Sequence, residues 1–241
     1  MSRERLTVAV WRGAEKGRYQ KYKVPRQESQ TVLDVITFIQ RHIDPSLSYR
    51  FACRVGVCGS CAMTVNGSPR WTCRTHVDKV IDDTGQLDVA PLRNFEVIKD
   101  LSVDMTDFFD KWAKAKGQFH GSETRNDDFS AVSPDSPQRK VASAGIECIG
   151  CGVCYSACDV VAWNKDYLGP AALNRAWTLM NDERDVAGID RLKAVAGAGG
   201  CQACHSQQGC VERCVKHLNP TGAIAGLKRA TAIAALKGQL K

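Results

Sequence analysis

Apolar and polar positions alternate through "LTVAVWR" (residues 6–12), the pattern of a half-buried strand, and "YQKYKVP" (19–25) supplies a partner across a glycine-containing turn. The period then changes. In "TVLDVITFIQRHI" (31–43), Val32, Leu33, Val35, Ile36, Ile39 and Ile43 fall on one face of a helix. "CAMTVNGSPRWTC" predicts a hairpin with Asn66-Gly67 at its turn, and "QLDVAPL" predicts a last strand. In "DMTDFFDKWAK", Met105, Phe108, Phe109 and Trp112 follow helical spacing. Residues 117–145 lose this periodicity and are rich in Ser, Gly, Asp and Pro, which predicts a surface connection. From 146 onward strand signals fade. "PAALNRAWTLMNDERD" and "PTGAIAGLKRATAIAALKGQLK" predict helices, each beginning at a proline whose missing N–H does little harm there. The chain therefore divides into a mixed α/β unit at 1–105, a connecting helix and linker at 106–145, and a mostly helical domain at 146–241. The fold class is α+β.

With 44% hydrophobic and 24% charged residues, the 241-residue chain has apolar material for real cores. Its net charge of +7 suits an acidic partner or an anionic membrane surface. The basic residues are scattered, and no recognition-helix pattern or aromatic RNA-binding signature accompanies them, which argues against nucleic acid. No run approaches the roughly 20 apolar residues of a membrane-spanning helix. "MSRERLTVAVWRGAEKGRYQ" has no apolar core of signal-peptide length. The expectation is a cytoplasmic chain that meets a membrane only through a partner or by surface docking.

Twelve cysteines carry most of the chemistry. They fall in tight clusters with gaps of two to four residues between most neighbours, too short for most pairs to bridge as disulfides, so metal binding is the reading. Cys53, Cys58, Cys61 and Cys73 follow C-x4-C-x2-C with a distant fourth, the plant-type ferredoxin arrangement for a 2Fe–2S cluster. Gly56 and Gly59 lie between these ligands and let the backbone wrap closely, with N–H groups turned to the sulfurs. Zinc sites more often come as paired C-x2-C units.

The run "CIGCGVCYSACD" is C-x2-C-x2-C-x3-C, the bacterial ferredoxin pattern, whose fourth cysteine serves a different cluster. The later stretch "CQACHSQQGCVERCV" keeps the crossing arrangement but has Gln207 where a cysteine would stand. Cys148, Cys151, Cys154 and Cys214 are thus assigned to a 4Fe–4S cluster. Cys158, Cys204 and Cys210 are left for a second site with three thiolates, the ligand set of a 3Fe–4S cluster. Cys201 is left over. It either packs as a small hydrophobe or ligates the open corner, one C-x2-C step before Cys204.

Together these segments resemble the iron–sulfur subunit of succinate dehydrogenases and fumarate reductases. "LSYRFACRVGVCGSCAMTVNG" is similar to that family's 2Fe–2S loop and "CIGCGVCYSAC" to its second motif. "LGPAALNRAW" resembles the helix that follows, and "CHSQQGCVERC" with "HLNPTGAI" resembles the third motif and last helix. The resemblance implies a plant-type, β-grasp-like ferredoxin domain followed by a helical bacterial-ferredoxin-like domain. It also implies a relay between FAD in a flavoprotein subunit and a quinone at one or more membrane anchor subunits, on the cytoplasmic face of the inner membrane. The chain itself would move electrons and leave the dicarboxylate chemistry to its partner.

The family's quinone pocket maps to Trp163 and His205. Trp163 either packs in the helical core or donates its N–H to a quinone oxygen. His205 either caps a backbone group near the cluster or serves the quinone side. The "CHS" context favours succinate oxidation, whereas "CYSAC" is closer to fumarate reductases, which stay as the alternative. A subunit serving another flavoprotein oxidase and a zinc-rich scaffold are the rival readings. The chain departs from the family in carrying Asp159 and Val215 where prolines are usual. The expectation is altered turns at both sites, with the Asp159 carboxylate lowering the potential of the three-thiolate site.

Overall fold

The computed structural model describes residues 5–81 and 84–240, so the sequence-derived domain limits at residues 1 and 241 lie outside it. Strand β1 (Arg5–Arg12) pairs antiparallel with β2 (Arg18–Pro25) from Arg5↔Pro25 to Arg12↔Arg18. Alternation in β1 buries Leu6, Val8 and Val10 on one face, as the period of a pleated strand dictates. Lys21 and Lys23 stand exposed on β2, which lies at the sheet edge, where charge discourages further pairing.

Helix α1 (Val32–His42) starts at a capping box: Asp34 N–H donates to the Thr31 hydroxyl at 3.2 Å, and Thr31 N–H donates to the Asp34 carboxylate at 3.0 Å. Its apolar face, Val32, Val35, Ile36 and Ile39, packs into the core formed with the strands. Strands β3 (Ala62–Val65) and β4 (Ser68–Trp71) form the expected hairpin. Asn66 (φ 45°) and Gly67 (φ 74°) both adopt left-handed backbone at its two-residue turn. Strand β5 (Gln86–Ala90) runs parallel to β1 and antiparallel to β3, giving the sheet order β2-β1-β5-β3-β4. A small hairpin of β6 (Val97–Lys99) and β7 (Ser102–Val103) follows.

The chain forms two compact units. The first runs to Met105 and also includes Ile149–Ala157; the second comprises Thr106–Cys148 and Cys158 onward. Helix α2 (Thr106–Lys114) opens the second unit. Its buried side chains are Phe108 and Lys111, whereas Phe109, expected on the apolar face, is 52% exposed. The polar stretch after it is not all connection. Helix α3 (Pro137–Ile146) begins at Ser136, whose hydroxyl accepts from Arg139 N–H at 3.0 Å, with Pro137 at the first helical position.

The short α4 (Val153–Ser156) belongs to the first unit, where Asn94 donates to the Tyr155 carbonyl at 2.9 Å and Phe95 packs on the Tyr155 ring. Back in the second unit are α5 (Asp159–Trp163), α6 (Pro170–Met180), α7 (Gly188–Val195), α8 (Gly209–Glu212) and α9 (Pro220–Leu236). Leu173 and Ala176 of α6 and Leu227 of α9 are fully enclosed. The Asn174 amide donates to the Gly145 carbonyl at 3.2 Å, tying α6 to α3.

Arg191 of α7 is fully buried, as is the Asp185 side chain it pairs with at 2.7 Å. The guanidinium also donates to the carbonyls of Lys116 and Gln118, at 2.9 and 3.0 Å. Asp185 accepts further from His120 and Ala187 N–H, both at 3.0 Å. Burial pushes the Asp185 carboxyl up, but Arg191 and these N–H groups outweigh it and hold it below the ordinary range. The clamp fastens residues 116–120 to the start of α7. Among the described residues no helix is long and apolar enough to cross a membrane.

Candidate iron–sulfur sites

The loop between α1 and β3 brings Cys53, Cys58 and Cys61 together with Cys73, which follows β4. N–H groups of Val57 and Cys58 donate to Cys53 Sγ, each at 3.3 Å. Cys53 N–H reaches Cys58 Sγ and Cys73 N–H reaches Cys61 Sγ, both at 3.5 Å. Gly56 (φ 74°) and Gly59 (φ 71°) supply the left-handed backbone that this wrap requires. A Cβ at Gly56 would also lie 2.7 Å from the Trp71 ring.

The electrostatics divide the set. Hydrogen bonds from the N–H groups of Val57, Val55 and Cys58 bring the Cys53 thiol down to about 6. Burial, then the neighbouring Cys61, pushes Cys73 up to about 12. Four thiolates held this close repel one another, so the set ionises fully only around cationic charge. The N–H groups aimed at sulfur and the crowded thiols fit an iron–sulfur group.

A second convergence lies within the second unit. Cys158, Cys204 and Cys210 interact electrostatically with one another and with the phenol of Tyr167. Ser206 N–H donates to Cys204 Sγ at 3.4 Å, and the Thr221 hydroxyl lies 3.4 Å from Cys210 Sγ. Burial raises the Cys158 thiol, partly offset by N–H groups of Val161 and Val160 at the start of α5. Burial raises Tyr167 and keeps it neutral, with the three thiols acting in the same direction. Lys228 of α9 donates to the Cys204 carbonyl at 2.7 Å, placing an ammonium beside the loop. The three thiols thus meet a buried donor, a cation and inward N–H groups, surroundings that fit a cluster with three protein ligands.

Cys201 faces elsewhere. Its buried thiol lies 3.2 Å from the Gln202 side-chain oxygen and 3.7 Å from the Thr231 hydroxyl of α9. Trp163 and His205 meet as an edge-to-face pair with ring centroids 6.1 Å apart. Trp163 is 61% exposed, so it is not a core tryptophan of the helical unit. Asp159 stands at the first position of α5, where proline and aspartate are both at home. Its charge also opposes ionisation of Cys158.

Of the remaining set, Cys151 and Cys154 lie in the first unit and Cys148 and Cys214 in the second. Gly150 and Gly152 bend the first run with φ of 62° and 77°, and Leu218 N–H donates to Cys214 Sγ at 3.3 Å. Tyr167, Lys228, Thr221 and the left-handed Ser206 and Gln208 carry no sequence signal of their own; only the fold brings them to the thiols.

Comparison with known proteins accounts for both cysteine regions. Residues 6–110 match the family described as "2Fe-2S iron-sulfur cluster binding domain", and residues 147–219 match "4Fe-4S dicluster domain". The fumarate reductase iron–sulfur subunit of Mycobacterium tuberculosis is 37% identical over 232 residues, covering 91% of this chain and 88% of that protein. The chain belongs to the succinate dehydrogenase and fumarate reductase iron–sulfur subunits. Within this family, the succinate dehydrogenase iron–sulfur subunit of Paracoccus denitrificans is 36% identical over 198 residues, covering 82% of this chain and 74% of the relative. A chain of the Mycobacterium smegmatis Sdh1 complex in the apo form superimposes with a TM-score of 0.84 at 26% identity, covering 96% of this chain and 97% of its own. Members of the family are subunits of an oxidoreductase complex, and the 2Fe–2S and 4Fe–4S regions of this one are those the sequence indicated.

Proposed function

We propose that this chain is the electron relay of a membrane-bound succinate:quinone oxidoreductase, connecting FAD in a flavoprotein subunit to quinone at a membrane anchor subunit, on the cytoplasmic face of the inner membrane. The N-terminal unit is read as a β-grasp-like ferredoxin and the helical unit as a bacterial-ferredoxin-like module. Cys53, Cys58, Cys61 and Cys73 hold a 2Fe–2S cluster, and Cys148, Cys151, Cys154 and Cys214 a 4Fe–4S cluster. Cys158, Cys204 and Cys210 hold a 3Fe–4S cluster.

When bound, these groups supply one-electron redox chemistry. The protein's part is to hold the thiolates and to donate N–H groups to them, which favours the reduced, more negative state. The single observation that supports this reading best is the convergence of Cys158, Cys204 and Cys210, with His205, next to Cys204, meeting the exposed Trp163 at the end of α5. The Trp163 indole N–H is a donor for a quinone oxygen, and His205 packs against its ring and orients it.

The test is low-temperature EPR and acid-labile sulfide analysis of the complex purified with its membrane partners. Three distinct signals are expected, one of them near the free-electron value in the oxidised state, together with covalent or tightly held flavin in the partner. Stoichiometric zinc without sulfide would sink the reading. Relatives named fumarate reductase support the alternative direction, a quinol:fumarate reductase. The ratio of succinate-oxidising to fumarate-reducing turnover in the same preparation separates the two.

A further inference from the structure

Gly59 sits between Cys58 and Cys61, and its α-carbon is pressed against Cys151. A Cβ built there would lie 2.6 Å from Cys151 Cβ, 2.9 Å from its Cα and 3.4 Å from its backbone nitrogen. A side chain there would force a shift, and the obstruction is the Cβ and backbone of Cys151 rather than the end of a flexible side chain that could swing aside. The contact is fixed from the far side as well. The Asn94 amide donates to the carbonyls of Tyr155 and Ser156 at 2.9 and 3.4 Å. The ring of Phe95 packs on Tyr155 with centroids 4.9 Å apart, and it also crowds Gly152. Residues 149–157 are therefore seated in the first unit with Cys151 against the Cys58–Cys61 turn.

We propose that the Gly59–Cys151 contact is the protein bridge along which electrons pass from the Cys53/58/61/73 site to the site of Cys151. This rests on the proposed function, in which both thiol sets carry clusters. Electron tunnelling weakens exponentially with the gap it crosses, so glycine at this point keeps two redox-carrying segments at bare van der Waals distance. Each passage moves one electron and makes or breaks no bond. Two passages balance the two-electron oxidation of succinate and the reduction of quinone. Gly59 acts here as a positioning residue and touches no substrate.

The experiment uses the assembled, cluster-loaded complex carrying Gly59→Ala or Gly59→Asn. Asparagine accepts left-handed backbone far better than alanine, so the pair separates the added Cβ from backbone strain. Two quantities are read: relaxation enhancement of the 2Fe–2S EPR signal when the neighbouring cluster becomes paramagnetic, and the single-turnover rate at which electrons leave the 2Fe–2S site. Both variants are expected to keep the 2Fe–2S signal while the enhancement drops and the rate falls several-fold. Wild-type enhancement and rate in Gly59→Asn would overturn the proposal and leave Gly59 with a purely conformational role. Where neither variant assembles, Asn94→Ala loosens the same contact from its other side; unchanged coupling in that variant overturns the proposal equally. Absence of clusters from the wild-type complex would instead count against the proposed function itself.

Discussion

Trp163 and His205 meet edge to face at 79°, their centroids 6.1 Å apart, on two segments that α6 and α7 separate in sequence. An exposed tryptophan braced by an exposed histidine contributes little to folding. Trp163→Ala is therefore expected to change stability by less than about 0.5 kcal/mol. Loss of the indole donor and ring contact should lower quinone-dependent turnover about tenfold, equivalent to about 1.4 kcal/mol. Turnover with a soluble artificial acceptor should hold. Equal loss with both acceptors would count against the proposed quinone role of the pair.

The Cys201 thiol lies against the Gln202 side-chain oxygen and the Thr231 hydroxyl. Cys201→Ala should leave the oxidised-state EPR signal of the proposed 3Fe–4S site intact in shape and intensity. The cost is that of shrinking a buried side chain, about 1–2 kcal/mol in thermal unfolding. Loss of that signal in a folded variant would make Cys201 a ligand.

The Arg191–Asp185 clamp is dry and fully hydrogen-bonded. Removing one charge strands the other, so Asp185→Asn or Arg191→Met should destabilise by about 3–5 kcal/mol. Limited proteolysis should then cut first within residues 116–121, whose carbonyls and N–H groups the clamp holds. Unaltered cleavage would show that this loop is held by something else.

Acid should weaken the fold through particular carboxylates. Hydrogen bonds from Ser46, Tyr22 and Arg12 hold Asp44 well below the usual carboxylate range, and those from Arg184 and Arg139 do the same for Asp182. A group whose folded pKa is depressed stabilises the fold above its unfolded value, about 3.9, and that stabilisation drains away as pH falls further. Unfolding free energy followed from about pH 6 downward should drop on this limb. Asp182→Asn should flatten it, and an unchanged slope in that variant would rule Asp182 out as a source.

Much of the N-terminal unit was legible because its signals are local. Thr31 and Asp34 spell a capping box, Asn66-Gly67 spells a two-residue turn, and β1 alternates cleanly. Helix α3 was hidden because it buries little beyond Ala142 and Gly145, so its sequence looks like connection; the Ser136-Pro137 start was its one readable sign. Helix α7 was hidden for a different reason: it is short, and beside Leu192 and Val195 it buries Arg191, which no apolar periodicity marks. Phe109 misled in the opposite sense, lying on the exposed face beside a buried Lys111. Cysteine spacing indicated the two regions that match the 2Fe–2S and 4Fe–4S families, since a chain wrapping one cluster fixes its own intervals. Tyr167 and Lys228, which the fold places beside those thiols, carry no spacing signal of their own and were beyond any local pattern.

The seating of Ile149–Ala157 within the first unit sets an order on biosynthesis. A ribosome that has finished β7 has not yet supplied the segment that Asn94 and Phe95 hold, and it must translate through α3 before doing so. The nascent ferredoxin-like unit therefore waits, open on one side, until Ala157 clears the exit tunnel. Machinery that delivers iron and sulfide would meet an N-terminal site still unfinished on that flank. Truncations ending near residue 110, natural or engineered, would lack the segment that Asn94 and Phe95 hold.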